Sequence, residues 1–309
     1  MIIDRSTYGC LQGKHTNARR YKVAGHLFTV CLAGDANWDK ALEQYAPFAS
    51  DTDVDKPVFV LTASPQGDEL AASVDGMQEV MRQSDEGSTI VVGQMDGHPC
   101  FEFWLGESLA ARLTTSTDYR EGSVVLGNEL GYGLNNTLMV MFALATACRQ
   151  TALFHASVVG SEGRGYLFLG KSGTGKSTHS SLWLKHIEGT ELLNDDNPLV
   201  RIVDGTARVY GSPWSGKTPC YRNVEMPIGG FVELSQAPRN EITRLKGVRA
   251  YAALLPSISG MRWDRQIAEG LHETENLLAQ HVPVWHLDCL PDRDAALLCY
   301  NTVSGLNDN

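Results

Sequence analysis

The stretch FLGKSGTGKSTHSSLW, residues 168–183, decides how the rest of the chain is read. An apolar segment enters it, glycines interrupt it, and a segment compatible with a helix leaves it. Gly170-Lys171-Ser172-Gly173-Thr174-Gly175-Lys176-Ser177 satisfies G-x-x-x-x-G-K-[ST] at every fixed position, the pattern of a phosphate-binding P-loop. Glycines let the backbone curl so that successive N–H groups point at phosphate oxygens. A helix from Thr178 would add its positive N-terminal end. Gly170, Ser172, Gly173, Thr174, Gly175, Lys176, Ser177 and Thr178 are therefore expected to hold a nucleotide's phosphates. Lys176 is the mobile cation for the β- and γ-phosphates, and Ser177 the oxygen ligand for Mg²⁺.

Working outward, Asp195-Asp196 follows 18 residues after Ser177. That gap fits one helix and one strand, which returns the chain to the same sheet edge as the loop. One carboxylate can hold Mg²⁺, and the other can take a proton from an attacking hydroxyl. Upstream, Leu153–Val159 and Tyr166–Leu169 read as strands joined by the turn GSEGRG. Pairing Val159 with Tyr166 sets His155 opposite Gly170, where a histidine could bond the γ-phosphate or steady the acceptor. Downstream, the loop YGSPWSGKTPCYRN carries Lys217 and Arg222, either of which could add positive charge to a transferring phosphoryl group. Trp214 in that loop reads equally as a packing anchor or an acceptor contact. Cys220 has no base near it in sequence and is not read as a nucleophile.

Elsewhere the pattern is ordinary. Residues 1–130 read as a β-rich α+β region of unknown role, and residues 131–309 as the nucleotide-binding domain. In the first, Tyr21–Ala33 and Pro57–Ala63 read as strands, and NWDKALEQYAPF as a helix capped by Asn37 and stopped at Pro47. STIVVGQMDGHPCFEFWLG reads as a hairpin turning at Asp96-Gly97. A helix is expected over Leu134–Gln150 and another over Thr178–Ile187, ended by Gly189. ELLNDD should be a strand, and Pro198–Val203 and Thr206–Tyr210 a hairpin around Asp204-Gly205. Beyond these, strands are expected at Ile228–Leu234 and Val284–Asp288. Helices are expected near Val248–Leu255, over Arg265–His281, and from about Asp292.

Bulk composition narrows the function. The net charge of −10 argues against a sequence-independent nucleic-acid surface and gives no support for binding an anionic membrane. The longest apolar run, LMVMFALATAC at 138–148, is too short to span a bilayer. MIIDRSTYGC has no apolar signal region, so no secretory leader is expected. The seven cysteines are odd in number and lack zinc spacing, which suggests a reduced, cytoplasmic setting.

Taken together, LFHASVV, GKSGTGKST, LLNDD and YGSPWSGK resemble the HPr serine kinase/phosphorylase superfamily, whose core is similar to the nucleotide domain of phosphoenolpyruvate carboxykinase. The resemblance runs from about Leu153 to Tyr300 and is strongest to HPr kinase-related proteins of unassigned substrate. It implies an α/β fold with a mixed-sheet, carboxykinase-like nucleotide-binding core. His155 then stands at the active-site histidine, Asp195 at the general base, and Asp196 at the metal ligand beside Ser177. The E-x-R-G-L-G type stretch of HPr kinase/phosphorylases is missing; that region reads NVEMPIGGFVEL. HPr recognition and reverse phosphorolysis are therefore not implied. The expectation is an ATP- and Mg²⁺-dependent kinase acting on a hydroxyl of a protein, peptide or small metabolite, with Asp195, His155, Lys176, Lys217 and Arg222 catalytic. A homo-oligomer is left open. The rivals are a carboxykinase-type lyase, whose oxaloacetate-binding segments have no counterpart here, and a nucleotide-binding regulator without turnover. Preference among ATP, GTP and pyrophosphate is not legible.

Overall fold

The computed structural model describes residues 17–52, 55–66, 76–85, 87–216 and 218–305. Within them the chain is mixed α/β, with two mixed sheets and few helices. Lys217 and the segment expected to lack a leader lie outside the described residues. No helix among the described residues is long and apolar enough to cross a membrane. Cys100, Cys148, Cys220, Cys289 and Cys299 are free thiols. Cys31 is disulfide-bonded, so the chain is not thiol throughout as the cysteine count suggested.

Two compact units divide between Ala145 and Thr146. The first contains β1 (Ala18–Val23), β2 (His26–Leu32), β3 (Val60–Pro65), β4 (Gln78–Asp85), β5 (Ser88–Met95), β6 (His98–Leu105), β7 (Ser108–Thr115) and β8 (Glu121–Leu126). They form one sheet in the order β1-β2-β3-β8-β7-β6-β5-β4. The stretch read as one strand from Tyr21 is a hairpin, because Ala24 and Gly25 both take positive φ. Asn37 caps a short helix, α1 (Trp38–Ala41), by accepting from the Lys40 amide. A 3₁₀ turn over Glu43–Phe48 then carries Pro47 inside it rather than beyond it. Asp96-Gly97 makes the β5–β6 turn with both φ positive, as a two-residue hairpin requires. The long helix α2 (Leu130–Thr146) starts four residues earlier than its apolar pattern suggested. Its Phe142 meets the edge of Phe28, which stacks on Phe59 at 4.9 Å. That packing ties α2 to the first unit, so the division falls at the C-terminal end of the helix and not before its start.

The second unit holds β9 (Thr151–Phe154), β10 (Ala156–Ser161), β11 (Arg164–Leu169), α3 (Lys176–His186), β12 (Glu191–Asp196), β13 (Leu199–Val203), β14 (Thr206–Tyr210), β15 (Glu225–Gln236), β16 (Glu241–Leu245), α4 (Val248–Leu254), β17 (Ile258–Ser259), α5 (Arg265–His281), β18 (Val284–Cys289) and α6 (Arg293–Val303). Its main strand order is β12-β10-β11-β15-β14-β13-β9-β17. Phe154 and Ala156 flank a single residue, yet four strands stand between theirs in that order. The sheet must therefore curl back on itself. The twelve-residue β15 carries the bend, pairing with β14 at its start and with β11 and β18 further on.

Two parallel pairings matter most. β11 runs parallel to β15, and β15 parallel to β18. β12 is antiparallel to β10, and β10 antiparallel to β11, so β12 points the same way as these three. All four carboxyl ends meet at one edge, the place where open α/β sheets hold ligands. Below it lies a core around Trp183 of α3. Phe168, Tyr166 and Tyr300 surround the indole with ring centroids within 5.4 Å, and Val232, Leu234 and Leu287 close the cluster. Burying side chains of this size contributes roughly 2–3 kcal/mol each.

Candidate functional site

The edge begins at the glycine-rich loop that leaves β11. Gly170, Gly173 and Gly175 take φ of 145°, 78° and 109°, values that a side chain would strain. Thr174 closes the loop on itself: its amide and hydroxyl both donate to the Lys171 carbonyl, at 3.1 and 2.7 Å. The helix that follows has no side-chain cap. The amides of Lys176, Ser177 and Thr178 find no backbone acceptor among the described residues, as at any open helix start. Ser172, Ser177 and Thr178 are exposed along this rim. The sheet also braces the loop, since Gln236 at the end of β15 donates to the carbonyls of Gly173 at 3.1 Å and Thr174 at 3.4 Å.

The hairpin register expected from the sequence is the one observed, with Val159 opposite Tyr166 and Ser157 opposite Phe168. His155 is nevertheless not a strand residue. It is the hinge between β9 and β10, its amide bonded to the Ser257 carbonyl at 2.7 Å. From there its ring joins the loop to the acid pair. Lys176 Nζ lies 2.9 Å from His155 Nε2, and His155 Nδ1 lies 2.9 Å from Asp196 Oδ1. An ammonium can only donate, so Nε2 accepts and the ring proton sits on Nδ1, facing the carboxylate. Lys176 also donates to the carbonyls of Gly170 at 2.8 Å and Lys171 at 3.3 Å. Burial pushes its amine below the usual lysine range, while Asp196 and Asp195 pull it back up.

Asp195 and Asp196 end β12 opposite Ser157 and Ala156. Asp196 is held on both oxygens, by His155 on Oδ1 and by Asn197 Nδ2 on Oδ2 at 2.8 Å. Asp195 is 7% exposed, and no described side chain donates a hydrogen bond to its carboxylate. Behind the pair, Asn194 is wholly buried. Its Oδ1 accepts from the amides of Asp196 and Asn197, and its Nδ2 donates to Ser212 Oγ and the Trp214 carbonyl. Ser157 and Ser180 hydroxyls, 2.6 Å apart, pin α3 to β10 beneath the site.

The 211–222 loop lies against the acids through Ser215, which bridges to Asp196, and Gly216, whose amide donates to the Asp195 carbonyl at 2.9 Å. Gly216 is required by closeness: a Cβ there would meet the Asp195 oxygen at 2.6 Å. Trp214 is 1% exposed and is a packing anchor. Arg222 does not join the site. Its guanidinium donates to the Leu192 carbonyl and to Glu191 Oε2, both at 2.6 Å. That is the start of β12, roughly 13 Å of strand from Asp196 at 3.3 Å per residue. The arginine expected to complete a charge clamp instead ties the loop's far end down. Burial raises the Cys220 thiol, which agrees with leaving it out of the chemistry.

The structure thus brings together residues 170–178, His155, Asp195 and Asp196, and leaves Arg222 apart. Sequence reading missed Asn194, Ser212, Gly216 and Gln236. Asn194 lies inside the quoted LLNDD, but nothing in sequence says that it faces inward. Among the described residues no three His, Cys, Asp or Glu side chains cluster to hold a metal, whereas Mg²⁺ requires only one or two protein oxygens. The chain matches no family model, and no curated protein matches it.

Proposed function

We propose that the chain is an ATP- and Mg²⁺-dependent phosphotransferase with a P-loop and a carboxykinase-like core, moving the γ-phosphoryl group to a hydroxyl acceptor. The observation that carries this reading is the continuous contact from Lys176 through His155 to Asp196, with Asp195 beside it. It sets a phosphate-type loop within reach of two carboxylates in different states. Asp196 is oriented on both oxygens, as suits a metal ligand working with Ser177. Asp195 is buried without a side-chain donor, as suits a proton acceptor.

The chain's own groups then have distinct tasks. The open amides at the start of α3 and the loop backbone hold phosphate oxygens. Lys176 exchanges its present carbonyl acceptors for phosphate oxygens, and His155 steadies it on the acid side. Asp195 takes the proton of the acceptor hydroxyl as its oxygen bonds to phosphorus and the bridging oxygen leaves with the nucleoside diphosphate. Bound ATP supplies the phosphoryl group, and Mg²⁺ offsets its charge.

The test is transfer of label from γ-labelled ATP into a desalted lysate with small metabolites restored. Wild type is run beside Asp195→Asn and Lys176→Ala. Label that appears only with wild type supports the kinase, and its size fraction gives the acceptor class. Equal label from wild type and Asp195→Asn rejects Asp195 as the base. No label, together with ATP-dependent stabilisation, rejects the kinase for a nucleotide-binding regulator.

A further inference from the structure

The ring of His155 carries a nucleophile that direct transfer to a hydroxyl leaves unused. Its Nδ1 keeps the ring proton, because an ionised Asp196 carboxylate can only accept. Its Nε2 keeps a lone pair, 2.9 Å from Lys176 Nζ. A carboxylate behind one ring nitrogen fixes the tautomer and raises the basicity of the other nitrogen. His286 shows the contrast. It meets Glu233 through Nδ1 at 2.9 Å and Asp288 through Nε2 at 3.4 Å, so each of its nitrogens faces a carboxylate.

The backbone fixes the place of the His155 ring. Its amide is bonded to the Ser257 carbonyl at 2.7 Å. Phe154 before it is wholly buried and stacks on Phe231 at 5.4 Å. Ala156 after it is wholly buried opposite Asp196. The His155 side chain is nevertheless 41% exposed. A ring anchored on both sides yet open to solvent suits contact with a ligand better than packing.

We infer that His155 takes a phosphoryl group on Nε2 when no acceptor hydroxyl is seated, so that the chain phosphorylates itself from a nucleoside triphosphate. The inference rests on the proposed phosphate role of the loop. When Lys176 turns its donors to phosphate oxygens, the lone pair that it had bonded is released beside the phosphate. Nε2 then forms a bond to the γ-phosphorus as the bond from that phosphorus to the β,γ-bridging oxygen breaks, and the electron pair of the broken bond leaves on the nucleoside diphosphate. No proton has to move. Nδ1 keeps its hydrogen, and Asp196 offsets the positive charge that the ring acquires.

The experiment incubates the full chain with γ-labelled Mg-ATP and no acceptor, then digests it in alkali and locates the label by mass spectrometry. A phosphorus–nitrogen bond to imidazole survives alkali and is lost in acid, the reverse of a phosphoserine. Label should have that stability and lie at residue 155. It should fall at least tenfold in His155→Gln and in His155→Asn, with cooperative urea unfolding reporting that each variant is folded. In the chain alone, nitrogen-15 NMR in alkaline buffer should show the His155 hydrogen on Nδ1 and Nε2 bare. Acid-stable label, label at another residue, or the hydrogen on Nε2 overturns the inference and leaves the loop reading intact. So does an unlabelled chain that binds Mg-ATP by calorimetry in a manner weakened by Lys176→Ala. No binding of Mg-ATP, or an affinity unmoved by Lys176→Ala, overturns the loop reading and the inference with it.

Discussion

His179 and His155 stand on two sides of one loop and show what placement does to one residue type. His155 is partly exposed and sits between a cation and an anion. His179 is buried against Phe168 and Trp183, and burial lowers its pKa to about 4. An imidazolium there would lose its hydration without gaining an anion. The consequence is a pH-dependent stability. In the unfolded chain the group titrates near 6.5, so the folded state binds fewer protons between that value and about 4. Its contribution is therefore intact above pH 6.5 and is lost as pH falls toward 4, in total on the order of 3 kcal/mol. Urea unfolding at pH 7.5, 6 and 5 should show wild type losing stability faster than His179→Phe. Parallel pH profiles for the two proteins would assign the acid sensitivity elsewhere.

At the scale of elements, the turns were the most legible parts. Asp96-Gly97 and Asp204-Gly205 are coded by residues that accept positive φ, and both form the expected tight turns. α5 and β13 and the end of α3 follow the apolar period and the stop signals closely. The break at His155 was not legible, because LFHASVV has no glycine or proline to mark it. It arises where one stretch of chain has to serve two separated strands of a curled sheet. β16 was missed for the opposite reason: EITRL alternates, but its pairing with β18 is a long-range fact. For the site, the loop and the acids were readable as types, while the Asn194 support and the Gly216 contact depend on packing. Gly216 gives the sharpest element-scale test. In Gly216→Ala the added carbon meets the Asp195 carbonyl oxygen at 2.6 Å and the Asp196 Cβ at 3.0 Å, both on a strand that cannot easily yield. The loop must lift, losing the Gly216 amide bond to Asp195. Stability should fall by about 1–3 kcal/mol in urea unfolding, with a larger proportional loss of the proposed phosphoryl transfer. A variant with unchanged stability and transfer would mean that the loop need not lie on the acids.

At the scale of the whole molecule, the net charge of −10 acts on an anionic ligand before any contact forms. The site itself does little to offset it. Lys171 and Lys176 supply two positive charges and Asp195 and Asp196 two negative ones, so these four cancel formally. For the proposed Mg-nucleotide ligand, the expected field then follows the net charge and is repulsive. Salt screens such fields over a Debye length of about 10 Å at 0.1 M, while the short contacts at the loop are screened far less. Stopped-flow association of a fluorescent ATP analogue should therefore speed up with added salt, by about twofold between 20 and 200 mM, with dissociation changing less. A locally basic entrance would give the reverse, association slowing as salt rises. That outcome would show that local positive charge, and not the net charge, sets the approach of the ligand.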